Sequence, residues 1–168
     1  MHRSRSIGKQ QPIALVICLL SLCTNGFAAD FSGRVVGVTD GDTIKVLHNG
    51  RAEKIRLHGI DCPEKGQPFG TKAKQFTSEM VFGKEVSIHV TDMDRYGRTV
   101  ADVILPDGRS LNRELVTAGL AWWYKRYSQD KILGKLETDA RAARRGLWAD
   151  PNPVPPWCWR KQMKGREC

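Results

Sequence analysis

The sequence predicts an α+β domain in which five β-strands close a small barrel, with about three α-helices inserted among and after them. Two patterns point to this. Short runs of β-branched residues alternate with polar ones between residues 31 and 60 and again between 86 and 105. After the third and fifth runs the apolar spacing changes to helical, and glycine and proline punctuate the boundaries. At 168 residues the chain has the size of one domain, and 40% hydrophobic with 27% charged residues is enough to build a core. Disordered, collagen-like and low-complexity classes are excluded by that balance.

The first three strands read as a meander. Arg34 to Val38 is the first, Asp42 to Leu47 the second and Glu53 to Ile60 the third. His48-Asn49-Gly50-Arg51 joins the second to the third, because Asn-Gly accepts the positive backbone angles of a tight hairpin. Cys62-Pro63 ends the third strand and Lys65–Gly70 forms a short loop. Ala73, Phe76, Met80 and Val81 then recur at helical spacing, which predicts a helix over Thr71–Phe82 closed by Gly83. Val86, Ile88 and Val90 place a fourth strand, with His89 on its polar face, and the Asp92–Gly97 turn leads to a fifth, Thr99–Leu105. A short helix, Leu111–Ala118, and a longer one starting after Ser128 and stopping at Gly146 follow. Four prolines between Asp150 and Pro156 argue against regular structure there, so residues 151–168 read as a tail laid along the domain and anchored by Trp157 and Trp159. With no internal repeat and no second core, the strand and helix order suits an OB-fold barrel over residues 30–150.

The net charge of +9 has two sources. Arg3, Arg5 and Lys9 precede an uncharged apolar run, Ile13 to Leu22, followed by the small residues Gly26, Ala28 and Ala29. That run is well short of the ~20 residues needed to span a bilayer, so residues 1–29 read as a cleaved export signal that leaves no stable membrane anchor. A buried N-terminal helix and a lipoprotein site at Cys23 are the competing readings. Cleavage after Ala29 would lower the 27 basic residues to 24 against 18 acidic ones, a charge of +6, still suited to a polyanionic partner. Of the five cysteines, Cys62, Cys158 and Cys168 would remain. Cys158 and Cys168 are the disulfide candidates in an exported chain, with Cys62 the odd thiol.

Three constellations carry the chemistry. Asp40-Gly41-Asp42-Thr43 enters the second strand, and Arg56 to Glu64 (RLHGIDCPE) closes the third. The hairpin folds these strands antiparallel, so Asp42 and Asp61 meet at one end, where two carboxylates suit a hard cation such as Ca²⁺ or Mg²⁺. The third constellation is Asp94-Arg95-Tyr96-Gly97-Arg98. Alone each is weak: Asp-Gly-Asp is ordinarily a turn, and surface arginines are common. Together, three acids (Asp42, Asp61, Glu64) and two arginines (Arg56, Arg98) provide what phosphodiester cleavage requires: a cation, donors for phosphate oxygens and a base for water.

The order VTDGDT, RLHGIDCPE, DRYGR, AGLAWWY, RRGLW resembles the staphylococcal nuclease (thermonuclease) family across Phe31 to Trp148. The resemblance implies an exported Ca²⁺-dependent nuclease on an OB-fold, acting on DNA and RNA and leaving 3′-phosphate ends. By the same resemblance Asp42, Asp61 and the backbone carbonyl of Cys62 match the calcium ligands, and Asp40 stands behind them. Glu64 matches the acid that activates or positions water, and Arg56 and Arg98 match the pair that grips the scissile phosphate. Tyr96, Tyr124 and, less closely aligned, Tyr127 match tyrosines near the nucleotide.

Two departures stand out: the loop Lys65–Gly70 is shorter than in the best-known member and lacks its lysine cluster, and Cys62 replaces a threonine. Lys125, Arg126 and Lys131 either hold phosphates without reading sequence or form a solvated face. The partners expected are DNA and RNA, the chain acting as a periplasmic or secreted monomer. A non-catalytic OB-fold module that binds nucleic acid is the alternative, disfavoured because the acid and arginine set is complete.

Overall fold

The computed structural model describes residues 30–168, so the export segment read at residues 1–29 lies outside the described residues. Its elements are β1 (Phe31–Asp40), β2 (Thr43–His48), β3 (Arg51–Leu57), β4 (Ile60–Asp61), α1 (Gly70–Val81), β5 (Glu85–Met93), β6 (Thr99–Ile104), α2 (Leu111–Thr117), β7 (Trp122–Trp123), α3 (Lys131–Ala142) and α4 (Pro156–Gln162), with a 3₁₀ turn at Gly146–Ala149 before α4. Five strands form a closed barrel in the order β1-β2-β3-β6-β5. Neighbours are antiparallel except β3 and β6, which run parallel. β1 closes the ring by pairing Phe31 with Ile88 and Arg34 with Glu85. Bulges within β1 and β5 supply the curvature that closure requires.

Alternating inward residues fill the barrel: Val35, Ile44, Val46, Ile55, Val86, Ile88 and Val103 are each at most 2% exposed. This is the one-face burial that the alternation predicts. Asn112 fastens α2 to the barrel by accepting from Val103 N at 3.1 Å and donating to the carbonyl of His58 at 3.0 Å. A second cluster, Trp122, Ala140, Leu147 and Trp148, packs α3 and the 3₁₀ turn together.

Four elements differ from the expectation. The third strand does not run through to Ile60. It stops at Leu57, and Gly59, with φ of 72°, takes Ile60 and Asp61 out of the barrel sheet to pair with Trp123 and Trp122. Asp42 precedes the second strand rather than beginning it. The long helix ends at Ala142, where Arg144 takes a positive φ, rather than at Gly146. The C-terminal segment is also more ordered than its prolines suggest. Pro156 occupies the first helical position, where no N–H is needed, and Pro155 stands extended as the cap, so α4 becomes a fourth helix. Among the described residues no helix is long and apolar enough to cross a membrane.

Candidate active site

The β2–β3 register puts Arg56 opposite Thr43, and Leu57 N donates to the carbonyl of Asp42 at 2.8 Å, which fixes Asp42 beside the end of β3. β4 then carries Asp61 back over that end. Arg56 bridges the two carboxylates, with Nη1 3.0 Å from Asp42 Oδ2 and Nη2 2.9 Å from Asp61 Oδ1. Both acids are buried, Asp61 to 1% exposure. Cys62 N donates to Asp42 Oδ2 at 2.6 Å and Thr43 Oγ1 to Asp42 Oδ1 at 3.3 Å, so the carboxylate has little freedom to turn.

The charges are mutually dependent. Burial, followed by the neighbouring charge of Asp42, pushes the Asp40 carboxyl up to about 6. Burial is also the largest influence on Asp61 and raises it, with Arg160 opposing. For Arg56 burial works against the charge, and Asp42 and Asp61 overcome it, holding the guanidinium above its ordinary value. The Cys62 thiol is pushed well up, first by burial and then by Asp42. At 3% exposure the thiol is closed to solvent, as in a structural rather than a reactive cysteine.

Glu64 stands at the rim of this cluster. Its amide donates to Gln67 Oε1 at 3.0 Å, and Gln67 in turn donates to the carbonyl of Val154 at 2.7 Å. Arg98 is placed differently. Val100 is the β6 neighbour of Arg56, so Arg98 lies two residues before it, yet its Nε donates to Asp94 Oδ2 at 2.7 Å rather than meeting the buried acids. Tyr96 is 69% exposed on the same turn, against the guanidinium of Arg95. Tyr124 is half-buried and stacks on Trp157, ring centroids 5.1 Å apart and planes within 6°. Burial and then the charge of Asp61 raise the pKa of its hydroxyl. Tyr127 is exposed, edge-on to Tyr124. Lys125 and Arg126 lie over the rings of Trp123 and Tyr127.

One side chain in the site is absent from the sequence reading. Arg160, on α4, donates through Nη2 to Asp61 Oδ2 at 2.8 Å and through Nη1 to Asp61 Oδ1 at 3.2 Å and Glu64 Oε1 at 2.5 Å. A disulfide joins Cys158 to Cys168 behind it, their Cα atoms 4.9 Å apart. The signal was an arginine set among tryptophans, Trp157-Cys158-Trp159-Arg160, in a segment read as tail.

Among the described residues no three His, Cys, Asp or Glu side chains form a metal-holding group. The donors that do converge, Asp42 and Asp61, are hard carboxylate oxygens with no imidazole or thiolate between them. That chemistry fits a hard cation that completes its shell with carbonyls and water.

The family model described as staphylococcal nuclease homologue matches residues 54–150. A protein of Escherichia coli O157:H7 named uncharacterized endonuclease is 47% identical over 132 residues, covering 79% of this chain and 86% of its own. A micrococcal nuclease of Shigella flexneri is 42% identical over 146 residues, covering 81% and 84%. The staphylococcal-like nuclease CAN1 of Arabidopsis thaliana is 43% identical over 112 residues, 67% of this chain and 34% of that protein.

Proposed function

The chain belongs to the family of staphylococcal nuclease homologues, and on that footing we propose that this nuclease is exported, depends on Ca²⁺, and hydrolyses DNA and RNA phosphodiesters with little sequence preference, leaving 3′-phosphate ends. It acts as a monomer, periplasmic or secreted, after removal of residues 1–29. One observation carries the reading: the buried pair Asp42 and Asp61, bridged by Arg56, with Glu64 at the same end of the barrel.

Asp42 and Asp61 would hold the cation, with the carbonyl of Cys62 as a further oxygen and Asp40 behind them. When bound, Ca²⁺ supplies charge neutralisation at a nonbridging phosphate oxygen. Glu64 positions the attacking water and takes its proton. Arg56 and Arg98 donate to the remaining phosphate oxygens as negative charge grows in the transition state, each such donor worth ~10²–10³ in rate. Tyr96, Tyr124 and Tyr127 present rings and hydroxyls to the nucleotide, and stacking on rings is tolerant of base identity.

Digestion of single- and double-stranded DNA and of RNA by the chain lacking residues 1–29, with Ca²⁺, Mg²⁺ or chelator, tests the reading. Cleavage that needs Ca²⁺ and leaves 3′-phosphate supports it. Activity unchanged by chelation removes the cation assignment, and tight binding without cleavage makes the chain a binding module.

A further inference from the structure

We propose that Arg160 and the divalent cation take Asp61 in turn, and that cation binding passes the Arg160 guanidinium to the substrate phosphodiester as a third arginine of the site. This rests on the nuclease reading above. It concerns a residue ten positions beyond the family match, which ends at 150.

Arg160 is held where it is by more than its own ion pairs. Pro156 and Cys158 are buried, and Trp157 lies flat on Tyr124 and edge-on to Trp122 with centroids 5.6 Å apart. Gln67 ties the preceding segment to Glu64, and the Cys158–Cys168 disulfide closes the turn behind α4. The backbone that carries Arg160 is therefore fixed against the site while the side chain, 40% exposed, can turn.

Counting lone pairs shows why the cation and Arg160 alternate. Asp61 Oδ1 accepts from Arg56 at 2.9 Å and from Arg160 at 3.2 Å, and Oδ2 accepts from Arg160 at 2.8 Å. Both lone pairs of Oδ1 are thus engaged. A cation that takes both oxygens of Asp61 must displace one guanidinium from Oδ1. Arg56 is 14% exposed and also holds Asp42 and the carbonyl of Leu57, so Arg160 is the one that leaves. Repulsion would act in the same direction, because a divalent charge held by Asp61 would oppose the guanidinium that the same carboxylate holds here.

Departure of Arg160 has two consequences. It frees Glu64, whose Oε1 accepts from Arg160 Nη1 here and is then open to accept from water. It also leaves a tethered planar fork of N–H donors beside the place where a phosphodiester joins the cation, and that fork matches phosphate oxygens in pairs.

The test is calorimetric titration of the disulfide-bonded protein with Ca²⁺, without nucleic acid, in the wild type, Arg160→Met and Arg160→Lys. We expect Arg160→Met to bind Ca²⁺ about tenfold more tightly or better, because a competing charge has gone. Arg160→Lys falls between, keeping the charge but not the fork. At saturating Ca²⁺, kcat/KM for single-stranded DNA falls about tenfold or more in Arg160→Met, the loss of one charge-assisted phosphate contact. These opposite movements separate the proposal from a structural role, since damage to the fold weakens cation and substrate together. Unchanged or weaker Ca²⁺ binding in Arg160→Met overturns the alternation, and unchanged kcat/KM overturns the transfer to substrate. A wild type that cuts no nucleic acid in Ca²⁺ removes the nuclease reading instead, and the cation titration still decides whether Arg160 competes for Asp61.

Discussion

Asp94 holds Arg98 on the β5–β6 turn: its Oδ2 accepts from Arg98 Nε at 2.7 Å, and its Oδ1 accepts from the amides of Tyr96 and Arg98 at 2.9 and 3.0 Å. The carboxylate shapes the turn and aims the guanidinium. Burial acts against the Asp94 charge, and the Arg98 amide and side chain outweigh it, keeping its carboxyl below the ordinary value.

Arg98→Lys keeps one charge but loses the planar fork, so an ammonium held by Asp94 has nothing left to offer a phosphate in pairs. We expect kcat/KM to fall by ~10² or more with the thermal midpoint nearly unchanged. Steady-state kinetics beside a melting curve checks this, and recovery of most of the activity with Lys would mean that Arg98 acts only through the general field.

Glu64→Gln retains shape and one carbonyl oxygen for Arg160 while removing the base. Turnover should drop by ~10²–10⁴, with folding and nucleic-acid binding close to wild type. Single-turnover cleavage and a binding assay in chelator separate the two quantities; near-normal turnover sinks the role given to Glu64.

Gly134 is the weak point of α3 by propensity, and alanine there should gain ~1 kcal/mol. The structure reverses the sign. An added Cβ would meet Trp123 Cζ3 at 2.7 Å, on a ring whose backbone is pinned in β7. Overpacking typically costs ~1–3 kcal/mol, so Gly134→Ala should be net destabilising in urea. A gain in stability would show that the Trp123 ring yields freely.

His58 gives a pH dependence away from the acidic cluster. Asp102, with Oδ2 3.8 Å from His58 Nδ1, is the main cause of its raised pKa, burial opposes it, and the carbonyl of Tyr127, 3.2 Å from Nε2, adds to it. A raised folded-state pKa stabilises fully below the unfolded value near 6.5, and that stabilisation is lost as pH rises through the folded value. The thermal midpoint should therefore decline from below pH 6.5 to above the raised value, and Asp102→Asn should flatten the decline. An unchanged slope in Asp102→Asn would remove the pair from the account.

Much of the site's position could be read in the chain because it depends on local pattern. The Asn49-Gly50 hairpin sets the register that places Arg56 opposite Thr43, whereas Asp61 reaches Asp42 through the turn at Gly59 that starts β4. The environment of Arg98 was less legible. Its place on the turn before the fifth strand could be read, but its pairing with Asp94 depends on how a five-residue turn curls. The β4–β7 pair was invisible, since two-residue strands carry no periodicity. Helix α4 was misread because prolines break a helix everywhere except at its start, and only the fold shows which proline stands there.

Taken alone, the sequence determined the barrel class, the meander of its first three strands, the basic charge and the candidate set Asp42, Asp61, Glu64, Arg56 and Arg98. The barrel and meander rest on alternation and turn chemistry, and the candidate set on three short motifs and the resemblance they carry. Tertiary structure decided which charges meet. Arg160, 99 residues from Asp61 in the chain, shares that carboxylate with Arg56 only because Trp157 packs on Tyr124 and Gln67 reaches Val154. A contact of such sequence separation has no local signature; it exists because burial of aromatic surface brings the end of the chain to the rim of the barrel.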